Sequence, residues 1–187
     1  MGTRRRPEYG NLLNLLGSNH APDFSDPIGL LAACHQRIRA NCDLLLRLSD
    51  WVDGHGVDPT ARDAINRIIR YFDVAAPHHH ADEEQHLFPL LRSDPHLDRR
   101  MRALEAEHEV LEADWQALRR QLNAALTGES ATDLGSHIER FVATYLRHIE
   151  IEEKEVLPFA AKTLDDDQKR GLGLAMAKRR GVPCDHS

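Results

Sequence analysis

The chain has 187 residues, of which 41% are hydrophobic, only 5% aromatic and 29% charged, with a formal net charge of −6. That length allows one domain with a hydrophobic core, and the scarcity of aromatics suits a helical bundle better than a β-sandwich. The negative balance argues against a nucleic-acid partner, whose phosphates call for positive charge. No apolar run reaches the roughly 20 residues that cross a bilayer.

Residues 1–24 carry Gly, Pro, Asn and the triplet Arg4-Arg5-Arg6, and read as an irregular arm. Without a continuous apolar stretch the arm does not make a convincing signal peptide. The first helix then opens at Ser25-Asp26-Pro27, where Ser25 or Asp26 can cap and Pro27 suits the first turn. Its apolar stripe is Ile28, Leu31, Ile38, Cys42, Leu45 and Val52, and Gly54–Gly56 ends it. Cys34 and Cys42 fall on this helix about 12 Å apart along its axis, too far for a disulfide. With Cys184 they show no CxxC spacing, so they read as reduced thiols and the expected location is cytoplasmic.

A second helix begins near Asp58-Pro59-Thr60, with Ile65, Ile69, Phe72 and Ala76 on one stripe, and ends around Leu87–Pro95. The third is the most regular, with Leu97, Met101, Leu104, Leu111, Trp115, Leu118, Leu122 and Ala125 in heptad steps. The fourth carries Leu134, Ile138, Phe141, Tyr145 and Val156. These four stripes, joined by short turns and with no hairpin signal between them, predict an all-α fold: an up-down-up-down four-helix bundle over 25–164. A short extra C-terminal helix, roughly 166–180, is expected within a final segment 165–187.

The positions skipped in these stripes are polar. His35 interrupts the first seam between Leu31 and Ile38, and His108 the third between Leu104 and Leu111. The second seam runs from Ala76 to His79 and Glu83, the fourth from Tyr145 to His148 and Glu152. A single core histidine is ordinary. Four histidines and two carboxylates at one level of an apolar bundle need compensating positive charge, and a bound metal supplies it economically. The i, i+4 spacing sets imidazole and carboxylate one turn apart on the same helix face, both within reach of the bundle core.

HxxxE alone is weak evidence, since His80–Glu84 and His108–Glu112 also match it. An internal repeat selects the register. A shift of 69 residues carries His79 to His148, Glu83 to Glu152, Glu84 to Glu153 and Pro89 to Pro158, whereas His80 maps onto Ile149. The chain is thus two helical hairpins, each with one lone histidine and one H-x-x-x-E-E. Imidazole and carboxylate suit iron, with zinc or manganese as alternatives. The ligands alone favour later divalent ions such as copper, so iron loading would follow availability and geometry.

His35, the stretch HHADEEQHLFP at 79–89, EHEVL at 107–111 and HIEIEEKEVLP at 148–158 together resemble the hemerythrin-like, HHE cation-binding family over roughly residues 26–162. That family includes myohemerythrin, an established example of the up-down-up-down bundle. The resemblance implies a centre of two non-haem Fe ions with oxo or hydroxo bridges. His35 and His79 would serve one iron, His108 and His148 the other, and Glu83 and Glu152 would bridge them. It also implies a small-molecule ligand (oxygen, nitric oxide or peroxide) and, for any reduction, an electron donor outside the chain. An iron- or oxygen-responsive sensing module without turnover is the alternative.

One departure stands out. Oxygen-carrying members have a further histidine one turn from the third-helix ligand, where this chain has Leu104 and Glu112. The expectation is therefore four histidines, open coordination positions and reactivity resembling bacterial members linked to nitric oxide, peroxide or iron–sulfur repair. His80, Glu84, Glu112 and Tyr145 stand as candidates for contact with the centre. His78 reads as a helix-edge bystander, and Phe72, Trp115 and Phe141 as core.

Overall fold

The computed structural model describes residues 23–129 and 133–183. The arm expected over 1–24 lies outside the described residues except for its last two, and Cys184 lies outside them as well. The described helices are α1 (Pro27–His55), α2 (Pro59–Asp82), α3 (Phe88–Leu91), α4 (Pro95–Thr127), α5 (Leu134–Ile151), α6 (Leu157–Thr163) and α7 (Asp166–Arg179), and no strand occurs among the described residues.

Three long helices start by the same chemistry. Asp26, Asp58 and Asp94 each accept a hydrogen bond from a backbone N–H of the first turn, and Pro27, Pro59 and Pro95 follow them. Proline costs nothing there because its missing N–H would have had no partner. Asp26, not Ser25, is the cap of α1. The α7 start is a full capping box, Asp165 with Gln168. At its far end α4 stops on Gly128, whose φ of 78° is the left-handed conformation that glycine adopts without strain.

Helix α1 packs on α2 and α5, and α4 packs on α5 and α2, which closes a four-membered ring. Two apolar clusters fill it. One centres on Phe72, Trp115, Phe141 and Ile138, with the Phe72 and Phe141 rings edge to face at 5.0 Å. The other gathers Leu31, Phe88, Leu91, Met101 and Val156, and α7 joins it through Leu172 and Met176. The last helix therefore closes one end of the bundle. In α2 the buried isoleucine of the third turn is Ile68, with Ile69 only partly covered at the margin of the stripe. Pro77 is accommodated inside α2, which continues unbroken past it.

The two repeat prolines have a structural consequence. Just before each, the helix widens into one π turn, Glu83–Leu87 and Glu152–Val156. The N–H of Phe88 reaches back to the Glu83 carbonyl, and that of Leu157 to the Glu152 carbonyl. A proline inside an α-helix would clash with the carbonyl four residues earlier and leave it unbonded, and a locally widened turn relieves that conflict. In both halves the π turn begins on the buried glutamate.

Candidate metal centre

Between the two apolar clusters lies one polar layer. His35, His79, Glu83, His108, His148 and Glu152 are all buried in it, none more than 4% exposed. The structure brings these six residues together from α1, α2, α4, α5 and the two π turns. Helical periodicity explains the convergence: each residue occupies a core-facing step between apolar neighbours already packed against the other helices.

The carboxylates face both ways. Glu83 Oε1 lies 3.3 Å from His79 Nε2 and 3.9 Å from His35 Nε2, and its Oε2 lies 3.6 Å from His108 Nε2. Glu152 Oε2 lies 3.1 Å from His35 Nε2, and its Oε1 lies 3.2 Å from His148 Nε2. Each glutamate therefore gives one oxygen to each histidine pair. His35, His79, Glu83 and Glu152 hold their ligand atoms within 4.8 Å of one another, and so do Glu83, His108, His148 and Glu152. The two groups share both carboxylates, the arrangement that bridges two neighbouring cations.

The hydrogen bonding of these atoms leaves them suited to a metal. Both oxygens of Glu83 and of Glu152, together with His35 Nε2 and His79 Nε2, are buried without a hydrogen-bond partner in the protein. Stranding so many strong polar atoms in an apolar interior costs on the order of 1–3 kcal/mol each. His108 Nε2 and His148 Nε2 point at one another across 2.9 Å, a separation that needs a proton or cation between them. The donor set, imidazole nitrogen and carboxylate oxygen with no thiolate, fits a divalent iron-type ion.

Behind the ligand atoms stands an outer layer of acids. His35 Nδ1 meets Glu153 Oε1 at 3.3 Å, and Arg39 grips that carboxylate at 2.6 and 3.0 Å. His108 Nδ1 meets Glu84 Oε1 at 2.6 Å. His148 Nδ1 meets Glu107 Oε2 at 3.2 Å, with Arg147 on the other oxygen. An acid on Nδ1 directs Nε2 to the metal and fixes the ring. Glu84 and Glu153 are the second glutamates of the two H-x-x-x-E-E motifs, and each braces the lone histidine of the other hairpin. His79 Nδ1 is buried with no such acid.

These charges act on one another strongly. Burial pushes the Glu83 carboxyl up to about 7, and the Glu152 charge adds to the rise. Burial opposes ionisation of Glu152 too, but His148 and His35 outweigh it and hold that carboxyl well below the usual range. At His148 burial is overcome by Glu152, Glu83 and Glu107, which carry it up to about 9. His35 is raised well above its ordinary value, against its burial, chiefly by the Glu152 and Glu153 carboxylates beside it. His79 and His80 are driven the other way, primarily by burial.

The remaining candidates separate cleanly. Glu112 is exposed and accepts from Gln116, away from the layer. Tyr145 is buried, with its hydroxyl 2.8 Å from His80 Nε2. His80 itself stacks on His108, with ring centroids 3.9 Å apart, and offers a nitrogen within 4.8 Å of those of His108 and His148. A fifth imidazole therefore stands beside the second half, supplied by α2 and not by α4. That amends the expectation of only four histidines at the centre. His78 is partly covered at the helix margin.

Sequence reasoning missed Glu107, Arg39 and a clamp on the preceding residue of α2. Asp82 is fully buried next to Glu83, with Arg179 Nε at 2.8 Å and an Arg180 nitrogen at 2.7 Å. Arg179 also donates to Ala81 O and Gln85 Oε1. The doubled glutamate in both repeats was the available signal for Glu84 and Glu153. The Arg pair gave none, because only the docking of α7 brings it to Asp82.

A four-helix bundle whose core carries two overlapping histidine–glutamate clusters defines a metal-binding helical domain. The chain belongs to the hemerythrin family: residues 26–160 match the Hemerythrin HHE cation binding domain. It is also similar to an uncharacterized protein of Haemophilus influenzae (strain ATCC 51907 / DSM 11121 / KW20 / Rd), with 34% identity over 172 residues, covering 91% of this chain and 99% of that one. Among the described residues no helix is long and apolar enough to cross a membrane.

Proposed function

We propose that the protein is a non-haem di-iron protein that binds or reacts with oxygen, nitric oxide or peroxide. One observation carries this reading: two buried carboxylates, each offering one oxygen to either histidine pair, with all four oxygens lacking a hydrogen-bond partner. His35 and His79 would hold one iron, His108 and His148 the other, with Glu83 and Glu152 across both. Iron would supply redox change and open positions for a diatomic or peroxide ligand.

The chain's own part is positional. Glu84, Glu153 and Glu107 orient three imidazoles, and the apolar clusters above and below keep bulk water from the layer. A cytoplasmic location and an external electron donor belong to the same proposal. Purified protein should carry about two irons per chain, with an oxo-bridged absorption spectrum that responds to oxygen, nitric oxide or hydrogen peroxide. A loaded protein whose spectrum ignores all three would overturn the reading.

A sensing role has an observation of its own. Asp82, next to Glu83, is gripped by Arg179 and Arg180 at the end of α7, so the centre and the docking of α7 share one segment. If iron occupancy controls that docking, protease cleavage near α7 will depend on iron in a protein that shows no turnover. Equal cleavage with and without iron would remove this second reading.

A further inference from the structure

The 69-residue repeat that equates the two hairpins fails at one place facing the centre. His80 corresponds to Ile149, and Tyr145 corresponds to Ala76. Ile149 and Ala76 are ordinary buried apolar residues. His80 and Tyr145 instead form a polar pair beside His108 and His148, with the Tyr145 hydroxyl 2.8 Å from His80 Nε2.

We propose that His80 is an exchangeable ligand of the His108–His148 half, bound there when that position is otherwise open and held on the Tyr145 hydroxyl when a small ligand takes it. The proposal rests on the di-metal reading above. Three observations support it. His80 offers a nitrogen within 4.8 Å of those of His108 and His148, so it is close enough to join a shared ion. Its ring lies flat against His108, 11° from parallel, so in the present position it lies alongside that ligand and does not converge with it. Its Nε2 lies 2.8 Å from the Tyr145 hydroxyl, and a lone pair that accepts that hydroxyl cannot bind a metal at the same time. The two positions of that nitrogen exclude one another.

The pair also borders a small space that neither His108 nor His148 lines. This space of about 10 Å³, near the size that admits a single water, is bounded by Ala76, Pro77, Leu111 and Trp115 together with His80 and Tyr145. Pro77 stands three residues before His80 and removes the backbone hydrogen bond that would otherwise tie this turn to Asp73. Among the described residues no matching polar pair faces the His35–His79 half, so the exchange would operate on one ion only.

The test is azide binding to the iron-loaded protein, followed by visible absorption, with iron per chain measured first. His80→Ala should retain two irons and bind azide at least tenfold more tightly, because the competing side chain is gone. Tyr145→Phe should bind azide at least tenfold more weakly, because His80 loses its alternative partner. The double variant should match His80→Ala, since Tyr145 acts only through His80, and His80→Gln should behave as His80→Ala does. Unchanged azide affinity in both single variants, or additive effects in the double, would overturn the exchange. A wild-type chain that takes up no iron would instead overturn the di-metal reading, before azide is added.

Discussion

The two halves of the centre share their carboxylates and differ in almost everything behind them. Each lone histidine is braced alike: His35 by Glu153, His108 by Glu84. The partners from H-x-x-x-E-E are not alike. His148 has Glu107 on its Nδ1, while His79 Nδ1 has no acid, and the residue before His35, in the place of Glu107, is the buried Cys34. Conversely, the hairpin of His79 is anchored from outside. Asp82 is clamped by α7, and its repeat counterpart is the apolar Ile151. A near-duplicated sequence has thus been given two different supports, an acid behind His148 and an ion-pair clamp before Glu83. Such differences would give two chemically similar metal sites separate affinities.

The largest expected effect removes the distinction between the halves altogether. Glu152→Gln weakens one bridging group at both, so iron should fall well below two per chain, whereas His35→Ala should cost chiefly the first ion and leave about one. Metal analysis decides between a shared and a segregated site. Chelation is the parallel experiment. With free metal at a thousand times its dissociation constant, binding contributes about 4 kcal/mol to stability. For a chain of this length that corresponds to a Tm loss of roughly 8–16 °C when the metal is removed. A melting temperature indifferent to chelator would mean that the layer is not a metal centre.

Next in size is the clamp. Replacing Arg179 and Arg180 together by Met leaves Asp82 buried and unpaired, which costs about 3 kcal/mol. The penalty should be largely recovered by adding Asp82→Asn, because a neutral amide no longer needs the cations. Urea unfolding of the three proteins without metal checks this. If the loss persists in the triple variant, α7 acts through apolar packing of Leu172 and Met176 and not through the ion pairs.

The bracing acids come third, and they separate the halves most directly. Glu153→Gln should weaken the His35 side and Glu84→Gln the His108 side, each by about 10–100-fold in metal affinity. Cys34→Ala should change neither, since burial keeps that thiol protonated and no histidine leans on it. Competition titrations with a metal indicator would read all three. An equal loss at both sides from one of these variants would show that the halves are coupled too tightly to be told apart.

Much of this was legible in residue order. The four stripes, the capping Asp-Pro pairs and the six polar interruptions follow from period and from the cost of burying unpaired charge. The 69-residue repeat fixed which of His78, His79 and His80 faces the layer. What the repeat concealed was its own asymmetry. Reading Ile149 against His80 ranked His80 below His79 and left it only a candidate for contact, yet the mismatch is what puts a fifth imidazole on one side only. Glu107 escaped for a different reason: adjacent to His108, it points about 100° round the helix toward α5, a direction visible only once the two helices are packed. The Arg179–Asp82 contact joins residues 97 positions apart and has no local signature.

The smallest expected effect concerns protons and follows from Glu107. In the metal-free protein His148 is carried up to about 9 and Glu83 up to about 7, so near neutral pH His148 holds a proton and Glu83 is divided between its two forms. A ligand nitrogen must be deprotonated to bind metal. Apparent affinity should therefore rise with pH by about tenfold per unit for each proton displaced, and loading in weak buffer should acidify it. The rise should continue to about pH 9 and then level as His148 loses its proton unaided. Glu107→Gln removes one carboxylate that favours the charged imidazole, so the levelling should move to lower pH. The corresponding profile for the His35 side should keep its shape, since Glu107 does not touch it. Affinity measured from about pH 6 to about pH 11, past the expected levelling, on Glu107→Gln and wild type resolves the two profiles. A levelling point unmoved in the variant would mean that Glu152 and Glu83 alone hold the His148 proton.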